Sequence, residues 1–222
     1  MKSATATRAA GVWLGQRPRG RPREFHRDKA LGKAANTFWQ LGYEGASIAD
    51  LTAAMNITPQ SLYAAFQSKA DLYQEALARY LVSAGAFSTR ALEEESNAQA
   101  AFTRLLREAA HEYARSDQPR GCMLSTGVLT CAVENKGVAR HVALLRAKVL
   151  EAFRARIERG RVDGDLPADI DSAALARFLQ ATVQGMSLQA RDGASETELL
   201  AIAQIASEVL AQYGARVRKR VR

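Results

Sequence analysis

From Asp28 onward, apolar residues recur at three- and four-residue steps, and nowhere do they alternate with polar ones over a strand's length. That periodicity leaves one outcome, an all-α chain. Breaks fall where Gly, Pro, Asn or Asp cluster. A helix beginning at Asp28 carries Leu31, Ala34, Ala35, Phe38 and Trp39 on one face, and Gly42 is its expected C-terminal cap. Ser68 opens a long helix, "SKADLYQEALARYLVSAGAF", with Leu72, Ala76, Leu77, Tyr80 and Leu81 on one face. Further helices are expected over about 98–116, 124–133, 138–159 and 169/171–191, and a last one starts at the capping box of Ser195 to Glu198.

One break differs from the others. In "SIADLTAAMNITPQSLYAAF", residues 47–66, a helix of Ile48, Leu51 and Met55 periodicity stops at "NITP" and a second short one begins. Ser47 followed by Asp50 is a helix start. Asn56 tolerates the left-handed backbone that ends the first helix, Thr58 caps the second, and Pro59 fills its first position, where a missing N–H costs nothing. Leu62 and Phe66 face inward, leaving Gln60, Ser61, Ala64 and the edge residue Tyr63 to solvent. A helix that stands proud of its domain fits a DNA major groove, about 12 Å wide, with its N-terminal residues at the base edges. Gln60 can pair with adenine through two hydrogen bonds, and Thr58 and Ser61 can reach phosphates or bases. The other reading of this stretch is an ordinary helical hairpin in a core.

Charge distribution favours the groove. Residues 1–70 hold 10 Lys/Arg against 4 Asp/Glu, and the last nine residues add five basic residues and no acid. The segment 71–213 has 16 basic and 19 acidic residues, so basic ends flank a near-neutral body. Residues 1–24, with "RPRGRPREF" and its prolines, read as a flexible basic arm that places Arg21 and Arg23 near DNA. At Ser68-Lys69 the free N–H groups of a helix start and an ammonium group can grip one phosphate. With 47% apolar and 24% charged residues the chain is too apolar for disorder, and no apolar run reaches the roughly 18 residues of a membrane span. A cytoplasmic location is expected.

Enzymatic chemistry finds little to work with. His26, His111 and His141 are scattered, "HEYAR" lacks the second histidine of a HExxH zinc pattern, and Glu93–Glu95 read as a solvated face. No cofactor or metal is expected. Cys122 and Cys131 lie nine residues apart, and on one helix a rise of about 1.5 Å per residue separates them too far for a disulfide. Cys122 is either a buried, inert thiol or one whose thiolate Arg120 favours.

The stretch "GRPREFHRDKAL…FWQLGYEGASIADLTAAMNITPQSLYAAFQSKADLYQEAL" resembles the DNA-binding domain of the TetR family of bacterial transcriptional regulators over about residues 20–77. Ala65 replaces the histidine of the family's Leu-Tyr-x-His-Phe pattern, and Ala70 replaces a frequent glutamate. The resemblance implies DNA contacts at Ser47, Thr58, Pro59, Gln60, Ser61, Tyr63 and Lys69, with Tyr63 and Lys69 on phosphates. Further on, "GRVDGDLPADIDSAALARFLQATVQGMSLQARDG" resembles one large subgroup.

The implied organisation is a helix-turn-helix domain at 25–68, a linking helix at 69–90, a ligand-binding and dimerisation domain at 91–213, and a basic tail at 214–222. Leu175, Phe178, Leu179 and Val183 on one helix, and Leu199, Ile202, Ile205 and Val209 on the next, exceed what one buried stripe needs and are expected at a homodimer interface. The dimer would read a palindromic double-stranded operator. Candidates for a small-molecule effector pocket are His111, Tyr113, Cys122, Met123, Thr126, Thr130, Phe153, Gln180 and Gln184. The function implied is a repressor released by its effector. The alternatives are a sequence-nonspecific architectural DNA binder and a helical enzyme.

Overall fold

The structure, a computed structural model, describes residues 26–220, with side chains through residue 214. Arg21, Arg23 and the rest of the N-terminal arm lie outside the described residues. Ten α-helices follow in order: α1 Arg27–Gly45, α2 Ile48–Met55, α3 Pro59–Phe66, α4 Lys69–Leu81, α5 Phe87–Glu94, α6 Ala98–Ala114, α7 Met123–Thr126, α8 Lys136–Val162, α9 Ser172–Arg191 and α10 Glu196–Arg220. A 3-10 turn at Val133–Asn135 precedes α8. The described residues contain no strand, and none of their helices is long and apolar enough to cross a membrane.

The first three helices form where the caps place them. Gly42 interrupts α1 with φ 74° and ψ 173°, a backbone region open essentially to glycine, so the helical run ends there and the chain turns toward α2. Ser47 and Asp50 close a capping box, the Ser47 N–H donating to Asp50 Oδ2 at 2.9 Å and the Asp50 N–H to Ser47 Oγ at 3.0 Å. Asn56 ends α2 in the left-handed region (φ 57°, ψ 49°). Thr58 Oγ1 accepts the Ser61 N–H at 3.1 Å, and Pro59 begins α3. Phe38, Leu51, Leu62, Phe66 and Leu72, from α1 to α4, are buried together. Arg27 joins the start of α1 to the far helices: its guanidinium pairs with Glu75 at 2.7 Å and lies 4.4 Å from the centroid of the Phe66 ring.

The end of α3 carries a strain that no sequence rule signals. Gln67 closes the helix at φ 62°, ψ −53°, outside the regions a side chain favours, while its N–H donates to the Tyr63 carbonyl at 2.9 Å. Gln67→Gly should therefore raise the stability of the chain by about 1 kcal/mol, relieved strain exceeding the added entropy of the unfolded glycine. Thermal denaturation of the two proteins side by side checks it.

The body departs from expectation in three places. The long helix expected from Ser68 through residue 87 is two helices. Ser83 Oγ donates to the Arg79 carbonyl at 2.8 Å and the Gly85 N–H to the Tyr80 carbonyl at 2.9 Å, which diverts carbonyls from the helical ladder and separates α4 from α5. The helix expected over 124–133 shrinks to α7. The carbonyls of Leu124, Ser125 and Val128, which a longer helix would bond internally, instead accept from Arg146 of α8 at 2.9, 2.9 and 2.8 Å. The expected basic tail begins as a continuation of α10, whose backbone stays helical to Arg220.

The last two helices bury more of themselves within the chain than their stripes suggest. Packing of α10 on α6, and of α9 on α8 and α6, encloses Leu175, Leu179 and Leu199. These three are core residues of the protomer and cannot be offered to a partner. Val183, Ile202 and Val209 are half-buried, whereas Phe178 and Ile205 are exposed, together with Leu188 and Leu200.

Candidate nucleic-acid interface and interior cavity

Thr58, Pro59, Gln60, Ser61, Tyr63 and Ala64 form one exposed edge at the start and outer face of α3, while Leu62 and Phe66 anchor the opposite face. Tyr63, at 47% exposure, is not part of any core. No acidic side chain lies on α3. Ser47, also exposed, spends its hydroxyl on Asp50, to which it donates at 2.6 Å.

The phosphate grip expected at Ser68-Lys69 is not assembled in this conformation. Asp71 occupies the start of α4, its N–H bonded to Ser68 Oγ at 3.0 Å, and so places a carboxylate where an anion would sit. Lys69 is half-buried, with its ammonium 4.5 Å from the centroid of the Tyr43 ring. Burial pushes its pKa down, and the nearby Glu44 carboxylate opposes that shift. To meet a phosphate, Lys69 has to leave Tyr43.

A cavity of about 60 Å³ lies within the body, bounded by side chains from α4 to α9. Five of the nine candidates line it: Tyr113, Cys122, Phe153, Gln180 and Gln184. Four do not. His111 is exposed, its Nδ1 3.2 Å from Glu196 Oε1 on the outer surface of α6 and α10. Met123 is fully buried in the core, Thr126 donates its hydroxyl to the Cys122 carbonyl at 3.0 Å, and Thr130 is exposed in the loop after α7.

Ten further lining residues were not among the candidates, including Val183, which was expected at the dimer interface; Tyr80 and Arg146 matter most among them. Tyr80 was read only as part of an apolar face, and Arg146 in "VALLRAKVL" has the look of a solvated helix position. Arg120 turns away to the Ala194 carbonyl, so of the two readings of Cys122 the thiolate favoured by Arg120 finds no geometry, and the thiol is buried. The groups that meet that thiol are the hydroxyls of Tyr80 and Tyr113, and burial raises the pKa of both phenols well above the ordinary value.

The segment walling this cavity also grips α1. The Gly127 carbonyl accepts the Tyr43 N–H at 2.8 Å, and the Gly121 carbonyl accepts Trp39 Nε1–H at 3.2 Å. Glu44 Oε1 accepts from the Ala132 N–H and from Asn135 Nδ2, each at 2.9 Å, bonds that hold its carboxyl below the usual carboxylate range. Arg191 of α9 donates to the carbonyls of Trp39 and Gln40 at 2.8 and 3.1 Å. Cavity wall and α1 are thus bonded directly, main chain to main chain.

Gly127 tolerates no side chain at this joint. A Cβ there would stand 2.5 Å from the Met123 carbonyl oxygen and 2.6 Å from Tyr73 Oη. Gly127→Ala should cost about 2–3 kcal/mol of stability, as overpacking against backbone does. Urea unfolding of variant and parent gives the difference.

Comparison with known proteins agrees with this geometry. Residues 30–76 match the family described as bacterial regulatory proteins, tetR family. The chain is 33% identical over 189 residues to the HTH-type transcriptional repressor ComR of Escherichia coli K12, covering 85% of this chain and 90% of that one. It is 28% identical over 191 residues to the repressor BdcR of the same organism, covering 86% and 92%. Among solved structures it is similar to a cysteine mutant of the TetR family transcriptional regulator CifR complexed with 26-bp double-strand operator DNA. That match has 42% identity and a TM-score of 0.82, over 85% of this chain and 98% of the other. A regulator from Chloroflexus aurantiacus J-10-FL, 22% identical with a TM-score of 0.74 over 84% and 94%, shares the fold.

Proposed function

The chain belongs to the TetR family of bacterial regulatory proteins, and from that premise we propose that it is a homodimeric repressor that reads a palindromic operator and is released by a small effector. It is a DNA-binding transcriptional regulator and not an enzyme, as its relatives are. Residues 25–68 form the DNA-binding unit in this reading, α4 links it to the body, and residues 91–213 hold the effector and the partner.

The observation that carries the proposal is the exposed edge of α3. Thr58 and Pro59 fix where the helix starts, and Gln60, Ser61 and Tyr63 stand beyond the core with nothing packed over them. A glutamine so placed can pair bidentately with adenine, Tyr63 can donate to a phosphate, and Ala64 lets the helix approach closely. Arg21 and Arg23 add charge toward the backbone. Exposed Phe178 and Ile205, with Leu188 and Leu200, support a partner surface along α9 and α10. Two copies so paired would set their α3 edges in successive major grooves, about 34 Å apart.

Release follows from the joint between cavity wall and α1. An effector that binds best when this wall has moved would shift α1 and α4, and with them the spacing of the two α3 edges; such coupling is usually about 1–3 kcal/mol. The experiment is a selection of genomic duplexes by the purified chain, followed by comparison of the winners with random DNA at one salt concentration. A recovered inverted repeat bound at least 1,000-fold more tightly than random DNA, in line with the roughly 10³–10⁷ range for specific binders, supports the proposal. Equal binding of both would leave a sequence-blind architectural protein.

A further inference from the structure

We infer that the interior cavity takes a small organic anion, whose acid group draws Arg146 away from the carbonyls of residues 124, 125 and 128. The inference rests on the effector-released repressor reading and names the chemical class of the effector.

Arg146 is the only charged side chain lining the cavity among the described residues, and none of its hydrogen bonds goes to a carboxylate. Its partners are three main-chain carbonyls, neutral acceptors. A guanidinium half removed from water without a counter-charge is costly to keep, and its planar fork matches a carboxylate in two parallel bonds. Burial lowers its pKa, though a guanidinium stays charged at any physiological pH. The cavity wall therefore carries a positive charge that carbonyl dipoles, and no carboxylate, offset. The cavity's other walls fit the body of an organic acid: Phe87 and Phe153 are apolar, and the Tyr80 and Tyr113 hydroxyls, which meet the Cys122 thiol, are phenolic donors that can turn to the remaining lone pairs of a carboxylate.

Size makes binding and movement inseparable. About 60 Å³ is well under the ~300 Å³ at which ligand pockets usually begin. A carboxylate with any carbon body has to push a wall outward. The wall held by Arg146 is residues 124–128, and those bonds are lost when the guanidinium turns to an acid. Within that segment Gly127 offers its carbonyl to the Tyr43 N–H of α1, so the displaced wall pulls on the DNA-binding unit.

The test uses the full chain and its selected operator, with benzoate and butyrate as probes and benzamide and butyramide as neutral counterparts, at constant ionic strength. The acids should weaken operator binding by between about 5- and 150-fold, and the amides by less than twofold. Calorimetry without DNA should register the acids and not the amides. Arg146→Gln should abolish the difference, while Arg146→Lys, which keeps the charge, should retain the preference for acids. Should Arg146→Gln fail to fold, as circular dichroism would reveal, acid-against-amide calorimetry on the unaltered chain still decides. Amides as effective as acids, no binding of either acid, or a folded Arg146→Gln protein that answers like the parent overturns the inference. A chain that prefers acids by calorimetry yet binds no operator would instead refute the repressor reading and leave the cavity assignment standing.

Discussion

Phe38→Ala should lower the stability of the chain by about 3–5 kcal/mol, a large part of the 5–15 kcal/mol typical of a folded protein. Phe38 has no exposed surface, meets the Tyr73 ring edge-on at a centroid distance of 5.0 Å, and stacks beside Tyr43 at 6.3 Å. Tyr73 belongs to α4 and Tyr43 to the end of α1, so the ring is the packing centre between the helix that opens the DNA-binding unit and the helix that leaves it. Neither neighbour can collapse into the space, because Tyr73 is itself fully buried and Tyr43 is held by Gly127. For a chain of this length the loss corresponds to a fall in Tm of about 6–20 °C. Differential scanning calorimetry measures it directly, and a shift under 2 °C would mean that the aromatic cluster does not hold the two helices together.

Gln60→Ala should weaken binding to the selected operator by about 1–3 kcal/mol, or between roughly 5- and 150-fold, and relax the preference at one base pair of each half-site. The substitution touches no core: Gln60 is exposed at the second position of α3, and alanine is at home in a helix. Thermal stability should stay within about 0.5 kcal/mol of the parent, which separates loss of contact from loss of fold. Binding to random DNA at the same salt should be unchanged, since the lost bonds read a base and not a phosphate. A variant that lost both kinds of binding equally would place Gln60 on the backbone of the duplex.

What could be read from the sequence follows from whether the responsible force is local. Helices α1 to α3 are set by neighbours in the chain: the Ser47–Asp50 capping box, left-handed Asn56, Thr58 with Pro59, and stripes such as Leu51 with Met55. Each device acts within four residues, so spacing reveals it. The exposed edge of α3 was legible for the same reason.

Where the outcome depends on a residue far along the chain, spacing is silent. Arg146 stops α7 from 18 to 22 residues away by taking its carbonyls, and the same side chain charges the cavity. His111 has the residue type of a pocket candidate, but α6 turns it outward toward Glu196. Leu175, Leu179 and Leu199 belong to stripes that could equally face a partner or the chain's own α6 and α8, and only packing decides which. Lys69 stands where a phosphate contact is expected, but Tyr43 and Glu44, more than twenty residues earlier, draw it inward.

The central claim is that two copies of the α3 edge read one duplex together. Sedimentation equilibrium of the chain with its selected inverted repeat, and with the same duplex lengthened by five base pairs between the half-sites, tests it most directly. Two chains per original duplex are predicted, with affinity lost once half a helical turn separates the half-sites by rotation. One chain per duplex, or binding indifferent to the inserted half-turn, would contradict it.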